Sequence, residues 1–217
     1  MKNVGVLLSG CGVYDGTEIH ESVITLLALD RNGVAAICMA PDMDQHHVVN
    51  HLTGQTSEEK RNVLVESARI ARGEIMDVKR VRTADLDALI MPGGFGAAKN
   101  LSDFAIKGNE AEVHPEVRRI IAEMADAGKP IGAICISPAV LAKVLEDRHP
   151  QVTIGNDLGT AEAIESMGGR HTVCDVTDIH VDAENKLVTT PAYMIGPDIS
   201  KVAEGIEKLV NKILEMI

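Results

Sequence analysis

The stretch Lys129-Pro130-Ile131-Gly132-Ala133-Ile134-Cys135-Ile136-Ser137-Pro138-Ala139-Val140-Leu141 constrains this chain more than any other. Ile131 to Ile134 is a short apolar run after a Gly-Lys-Pro turn, which is how a parallel strand covered on both faces reads. Pro138, followed by Ala139, Val140, Leu141 and Ala142, opens a helix. Cys135 therefore stands on the bend between strand and helix. Such a bend lifts its side chain out of the sheet and turns the first unpaired helix amides toward whatever that side chain attacks. Those amides and the helix dipole favour negative charge, so the expectation is a thiolate with a depressed pKa. A small buried core cysteine is the plainer reading of the residue type alone. Position favours the functional reading, because open α/β sheets hold their ligands at the carboxyl ends of central strands.

The rest of the chain fits such a sheet. Val4 to Leu8 reads as a first strand ending in a Gly-rich loop, Ser9 to Gly16. Thr17 is the expected cap of a helix over Glu18 to Leu29, Asn32-Gly33 stops it, and Val34 to Met39 is the second strand. Gly10, Gly12 and Gly16 are spaced G-x-G-x-x-x-G, whereas a dinucleotide fingerprint needs glycine at 15, where Asp15 stands, so nucleotide binding is not expected. Residues 41–56 are polar and His-rich, but His46, His47 and His51 lack the spacing of a metal site.

A helix over Ser57 to Arg72, capped by Ser57, comes next, then a strand over Ile75 to Val81 and another over Leu86 to Met91. The last of these ends at Pro92-Gly93-Gly94-Phe95-Gly96, where glycines let backbone amides approach a ligand and form the second wall of a cleft beside Cys135. Further helices are expected over 114–127, 156–167 and 198–216, with several short strands between 170 and 190. Strand and helix alternate almost throughout. The expectation is one domain over residues 1–217, a three-layer α/β sandwich whose mostly parallel sheet is flanked by helices.

Composition narrows the function classes. Hydrophobic residues make up 45% of the 217, yet aromatics only 2% with no Trp, so the core is built from aliphatic side chains, as a buried parallel sheet requires. A formal charge of −11 argues against nucleic acid or an anionic membrane as partner, since both are met by clustered Lys and Arg. Cysteines at 11, 38, 135 and 174 form no CxxC pair and no metal spacing; four scattered thiols fit a reducing compartment. Residues 1–9 are too short an apolar run for a signal peptide, no Arg-rich transit pattern follows, and no run reaches the ~20 apolar residues of a bilayer span. A soluble, cytoplasmic protein is expected.

Three motifs together resemble the ThiJ/PfpI superfamily: the Ala-Ile-Cys-Ile-Ser-Pro run at Cys135, the Met-Pro-Gly-Gly-Phe-Gly-Ala-Ala-Lys-Asn-Leu loop at 91–101, and Glu21-Ser22-Val23-Ile24 ahead of Asn32-Gly33. The resemblance runs nearly end to end. Leu-Ser-Gly-Cys-Gly-Val-Tyr-Asp-Gly near the amino end and Thr-Thr-Pro-Ala-Tyr-Met at 189–194 look like its ElbB subfamily, the glyoxalase or isoprenoid-biosynthesis proteins with an amidotransferase-like domain. It implies the class I glutamine amidotransferase-like fold, Cys135 as nucleophile, Glu21 as the carboxyl group against that thiol, and the Gly94 and Ile136 amides as an oxyanion hole. Without the resemblance, Glu21 reads as a solvated helix residue.

One departure stands out. Many superfamily members carry a histidine about twenty residues past the cysteine, but Val152-Thr153-Ile154-Gly155-Asn156-Asp157 occupies that region, and His180-Val181-Asp182 is not the late His-x-Glu pair of glutamine amidotransferases. His149 and His171 are the remaining stand-ins. A missing base disfavours amide hydrolysis, which must protonate a poor leaving group. The resemblance therefore implies a cofactor-independent, metal-free glyoxalase, turning glyoxal-type 2-oxoaldehydes into 2-hydroxy acids, with a small aldehyde as substrate and a homodimer as assembly. The alternatives are a redox-responsive or regulatory protein linked to isoprenoid metabolism, and a glutaminase.

Overall fold

Short apolar runs become the strands of one seven-stranded sheet in the computed structural model, which describes residues 2–217. β1 (Asn3–Leu7) lies in its interior and is followed by α1 (Ile19–Arg31) and β2 (Ala35–Ala40). A hairpin of β3 (Val48–Asn50) and β4 (Gln55–Ser57), then α2 (Val63–Ile70), leads to β5 (Ile75–Asp77) at one edge. β6 (Ala88–Met91), α3 (Phe95–Lys99), α4 (Phe104–Lys107), α5 (Pro115–Asp126), β7 (Ile131–Ile134) and α6 (Ser137–Val144) build the other half. A separate pair of two-residue strands, β8 (Gln151–Val152) and β9 (Arg170–His171), brackets α7 (Leu158–Ser166). β10 (His180–Asp182), β11 (Leu187–Thr190) and the long α8 (Ile199–Met216) close the chain.

The spatial order is β10-β11-β7-β6-β1-β2-β5. Every neighbouring pair is parallel except β10 with β11. The chain winds outward one way from β1 through β2 and the other way through β6 and β7, so the direction switches between β1 and β6. A crevice opens at the carboxyl ends of strands at such a point.

Both faces of the sheet are covered. Val4, Val6, Ile90, Ile134 and Val188 join Leu29, Ile206, Leu209 and Ile213 in one buried cluster, beneath α1 and α8. Leu7, Leu89, Met91, Ile131 and Ala133 join Ile120, Ile121, Met124 and Leu141 in the other, beneath α5 and α6. Alternation along a strand sends successive side chains to opposite faces, which is why every residue of β6, β7 and β11 is buried.

Three local expectations are corrected. Glu18, not Thr17, caps α1: its carboxylate accepts the Glu21 amide at 2.7 Å, while the Thr17 hydroxyl accepts the Ser9 amide and ties the helix to the end of β1. Asn62, not Ser57, caps α2, because Ser57 pairs with Val48 in the β3–β4 hairpin. The predicted strand over Ile75 to Val81 ends at Asp77, whose side chain accepts from Lys79 and starts a short 3₁₀ turn.

Candidate active site

Four strand ends meet at the switch point. The Gly-rich loop after β1 does not present its amides to a cavity. Its carbonyls face inward instead: Val13 accepts the Phe95 amide and Gly16 the Gly96 amide, both at 2.8 Å. Asn100 locks the junction, donating to the Ser9 and Asp15 carbonyls at 2.9 Å each and accepting the His46 amide at 2.9 Å. This loop is a brace for the one that follows β6.

Gly93 sits at the hub of that second loop. Its carbonyl accepts the Glu18 amide at 2.9 Å and its amide donates to Glu21 Oε2 at 2.8 Å, joining it to the start of α1 twice. A Cβ here would lie 2.5 Å from the Cys135 Cβ, 2.9 Å from Glu21 Oε2 and 2.9 Å from the Ile134 carbonyl. Only hydrogen fits between the thiol and the acid. Gly94 follows with φ +92°, a conformation closed to most side chains, and this turns its amide toward Cys135.

Cys135 occupies the bend that its neighbours in sequence require. Its amide still pairs with the Thr190 carbonyl of β11 at 2.9 Å, so the residue is the last of the sheet, yet its φ is +62°. A non-glycine residue in the left-handed region costs energy, and a sharp strand-to-helix turn is where proteins spend it. The Ser137 hydroxyl donates to the Pro92 carbonyl at 2.7 Å and pins the start of α6 to the Gly93 loop. The Gly94 and Ile136 amides both point at the sulfur, and the Glu21 carboxyl lies beside it. The four residues expected from the sequence thus come together.

The electrostatics depart from expectation. The thiol is raised well above its ordinary pKa, first by burial and then by the Glu21 carboxyl, and the two amides only partly offset this. Cys135 is only 7% exposed, and desolvation outweighs a pair of dipoles. Glu21, fully buried, is raised to about 8 by burial first and Glu18 second. Its Oε1 has no hydrogen-bond partner, which fits a carboxyl holding its proton. The thiol and most of the acid hold their protons at neutral pH, and the ionised minority of Glu21 is the form that can take the proton from sulfur.

A cavity of about 350 Å³ opens over the sulfur. Val13, Phe95, Ile136 and Met194 give it an apolar wall, Asp157 and Thr160 also line it, and among the described residues no Lys or Arg does. Asp157 is engaged in capping α7, accepting the Thr160 amide at 2.8 Å. Lys99 lies 4.8 Å from the Phe95 ring centroid and donates to the Tyr14 carbonyl, off the lining.

The suggested stand-ins are elsewhere. His171 accepts the Ile154 amide at 3.4 Å and His149 meets the Gly168 carbonyl at 3.1 Å; neither lines the cavity. Asp182 is spent on the Gln151 amide and on Asn185. What the sequence reading missed is Tyr193, which lines the cavity, faces Glu21 with its amide, and bonds His20 Nδ1 through its hydroxyl at 2.7 Å. The signal was present but weak: His20 precedes Glu21, and Tyr193 lies in the Thr-Thr-Pro-Ala-Tyr-Met motif.

A parallel sheet, a strained cysteine at a strand-to-helix bend and a buried glutamate against it define a class I glutamine amidotransferase-like domain. The chain belongs to the DJ-1/PfpI family, whose model matches residues 15–189. It is 50% identical to the human glutamine amidotransferase-like class 1 domain-containing protein 3, mitochondrial, over 98% of this chain and 82% of that one. The rat ES1 protein homolog, mitochondrial, is 48% identical over 98% and 83%. Among solved structures, the isoprenoid biosynthesis protein with amidotransferase-like domain from Ehrlichia chaffeensis superposes with a TM-score of 0.93 at 39% identity, covering 100% of this chain and 99% of that one.

The mitochondrial relatives correct the cytoplasmic expectation. Scattered free thiols indicate a reducing interior, and that property does not separate the cytosol from an organelle matrix.

Proposed function

We propose that the protein is a cofactor-independent glyoxalase acting on uncharged 2-oxoaldehydes. The observation that carries this reading is the convergence of two backbone amides and one buried carboxyl on the Cys135 sulfur at the floor of an apolar cavity. In its ionised form, the minority at neutral pH, Glu21 accepts the thiol proton as sulfur adds to the aldehyde carbon, and returns it to the resulting alkoxide, giving a hemithioacetal and restoring the carboxylate. The Gly94 and Ile136 amides hold the oxyanion as it develops, each worth ~3 kcal/mol of barrier. The Glu21 carboxylate then removes the hydrogen from that carbon and delivers it to the neighbouring one. A thioester of the 2-hydroxy acid results, and water releases glycolate from glyoxal and restores the thiol.

The lining argues against glutamine as substrate. Its α-carboxylate would meet Asp157 and no cation, and its amide leaving group would find no histidine beside the thiol. Glyoxal turnover by the parent, beside Cys135→Ala and Glu21→Gln, is the test. Loss of at least 100-fold in each variant is expected, and a Cys135→Ala protein as fast as the parent refutes the reading.

A further inference from the structure

We propose that Tyr193 is a further catalytic residue of this site, positioned by His20, and that together they do the work of the absent histidine. The proposal rests on the glyoxalase reading. Its starting point is what that reaction demands and Cys135 and Glu21 do not supply. Removing the carbon-bound hydrogen drives an electron pair onto the second carbonyl oxygen, which needs a proton donor other than Glu21, the group taking that hydrogen. Of the residues lining the cavity, only Cys135, Asp157 and Tyr193 carry a titratable group. Cys135 is bonded to the substrate at that stage, and Asp157 is an ionised cap with no proton to give. Tyr193 remains.

The local structure holds the phenol for this role. Pro191 and Ala192 follow directly on β11, and Ala192, fully buried, takes φ +43°, a left-handed conformation that swings the chain back across the carboxyl end of the sheet. The Tyr193 amide faces Glu21, so ring and acid belong to one rigid unit. The hydroxyl meets His20 Nδ1 at 2.7 Å, with the rings 5.8 Å apart and tilted. His20 lies on α1 next to Glu21, so one helical turn supplies the acid at the thiol and the partner of the phenol. With hydrogen on Nδ1, His20 donates to the phenol oxygen and leaves the phenolic hydrogen free to point into the cavity. Burial first, then the charges of Glu18 and Glu21, raise the phenol above its ordinary pKa, which keeps it protonated at neutrality.

The protons balance. As Glu21 takes the carbon-bound hydrogen, Tyr193 gives its phenolic proton to the second oxygen, and an enediol forms on the sulfur-bearing carbon. Glu21 then returns its proton to the second carbon. The hydroxyl on the first carbon loses its proton to the Tyr193 phenolate as the thioester carbonyl forms. Both oxygens of a cis-enediol lie on one side, within reach of one phenol, and His20 stabilises the brief phenolate by its hydrogen bond.

Tyr193→Phe keeps the ring and removes the hydroxyl. With glyoxal, kcat is expected to fall about 100-fold with KM within twofold of the parent, while Cys135 is alkylated by iodoacetamide at the parent rate. His20→Gln is expected to fall about tenfold, and adding it to Tyr193→Phe should cost nothing more, since its partner is already gone. A merely structural role would instead change KM, thiol alkylation and melting temperature together and leave the two substitutions additive. An active parent matched by Tyr193→Phe, or additive losses, overturns the relay and leaves the glyoxalase reading intact. A parent inactive on glyoxal removes the reading, and the relay with it.

Discussion

Glu21→Gln is expected to flatten the pH dependence of stability between pH 5 and pH 8. The carboxyl rises from 4.5 to about 8 on folding, because the folded protein removes it from water and sets Glu18 beside it. Between those values the folded chain holds a proton that the unfolded chain has released. Stability from this group is therefore greatest below pH 4.5 and is lost as pH climbs through about 8. At about 1.4 kcal/mol per pH unit, a rise from pH 5 to pH 8 removes up to roughly 4 kcal/mol. That is a large share of the ~5–15 kcal/mol that holds a typical domain together. The glutamine amide keeps an acceptor for the Gly93 amide and carries no charge at any pH. Urea unfolding of parent and variant at pH 5, 6, 7 and 8 reads the effect, and groups common to both cancel in the difference. The variant should gain steadily on the parent as pH rises, with equal slopes against urea. Two stability curves that stay parallel across the range would refute a proton held on Glu21.

Gly93→Ala is expected to abolish glyoxal turnover and cost about 1–3 kcal/mol by overpacking, since its new methyl would press on Cys135 and Glu21 at once; thermal melting and a kinetic assay check both. Asn100→Ala removes three hydrogen bonds, two buried and one partly buried, at about 1 kcal/mol each, and the melting temperature should drop by roughly 6–12 °C. With about 30 Å³ per water as the yardstick, glyoxal leaves most of the 350 Å³ cavity unfilled. In an alkylglyoxal series, kcat/KM should climb by up to about fourfold per added methylene, and a flat series would contradict an apolar substrate arm.

The sheet and the cysteine were readable because they rest on local rules. An apolar tetrad before a Cys and a Pro-led helix admits few other structures, and the observed β7 covers the expected four residues. Gly93 and Gly94 were readable as the wall of a cleft beside Cys135, though not that a Cβ at Gly93 would press on Cys135 and Glu21 at once. Glu21 required the family resemblance, because nothing within α1 announces that a glutamate in its first turn is fully buried. The thiol's ionisation was misjudged for a related reason: dipoles are visible in a sequence, but desolvation depends on what distant segments cover. Helix caps failed where a tertiary contact claimed the expected residue, as at Thr17 and Ser57. Tyr193 and His20 meet only across the whole chain, and no pattern over neighbouring residues could pair them.

Because α1, the β6 loop, the β7 bend and the turn after β11 each contribute one wall around the sulfur, no fragment of the chain can assemble this pocket. Turnover of glyoxal should accordingly vanish in step with cooperative unfolding of the entire molecule, making activity a built-in gauge of native-state integrity.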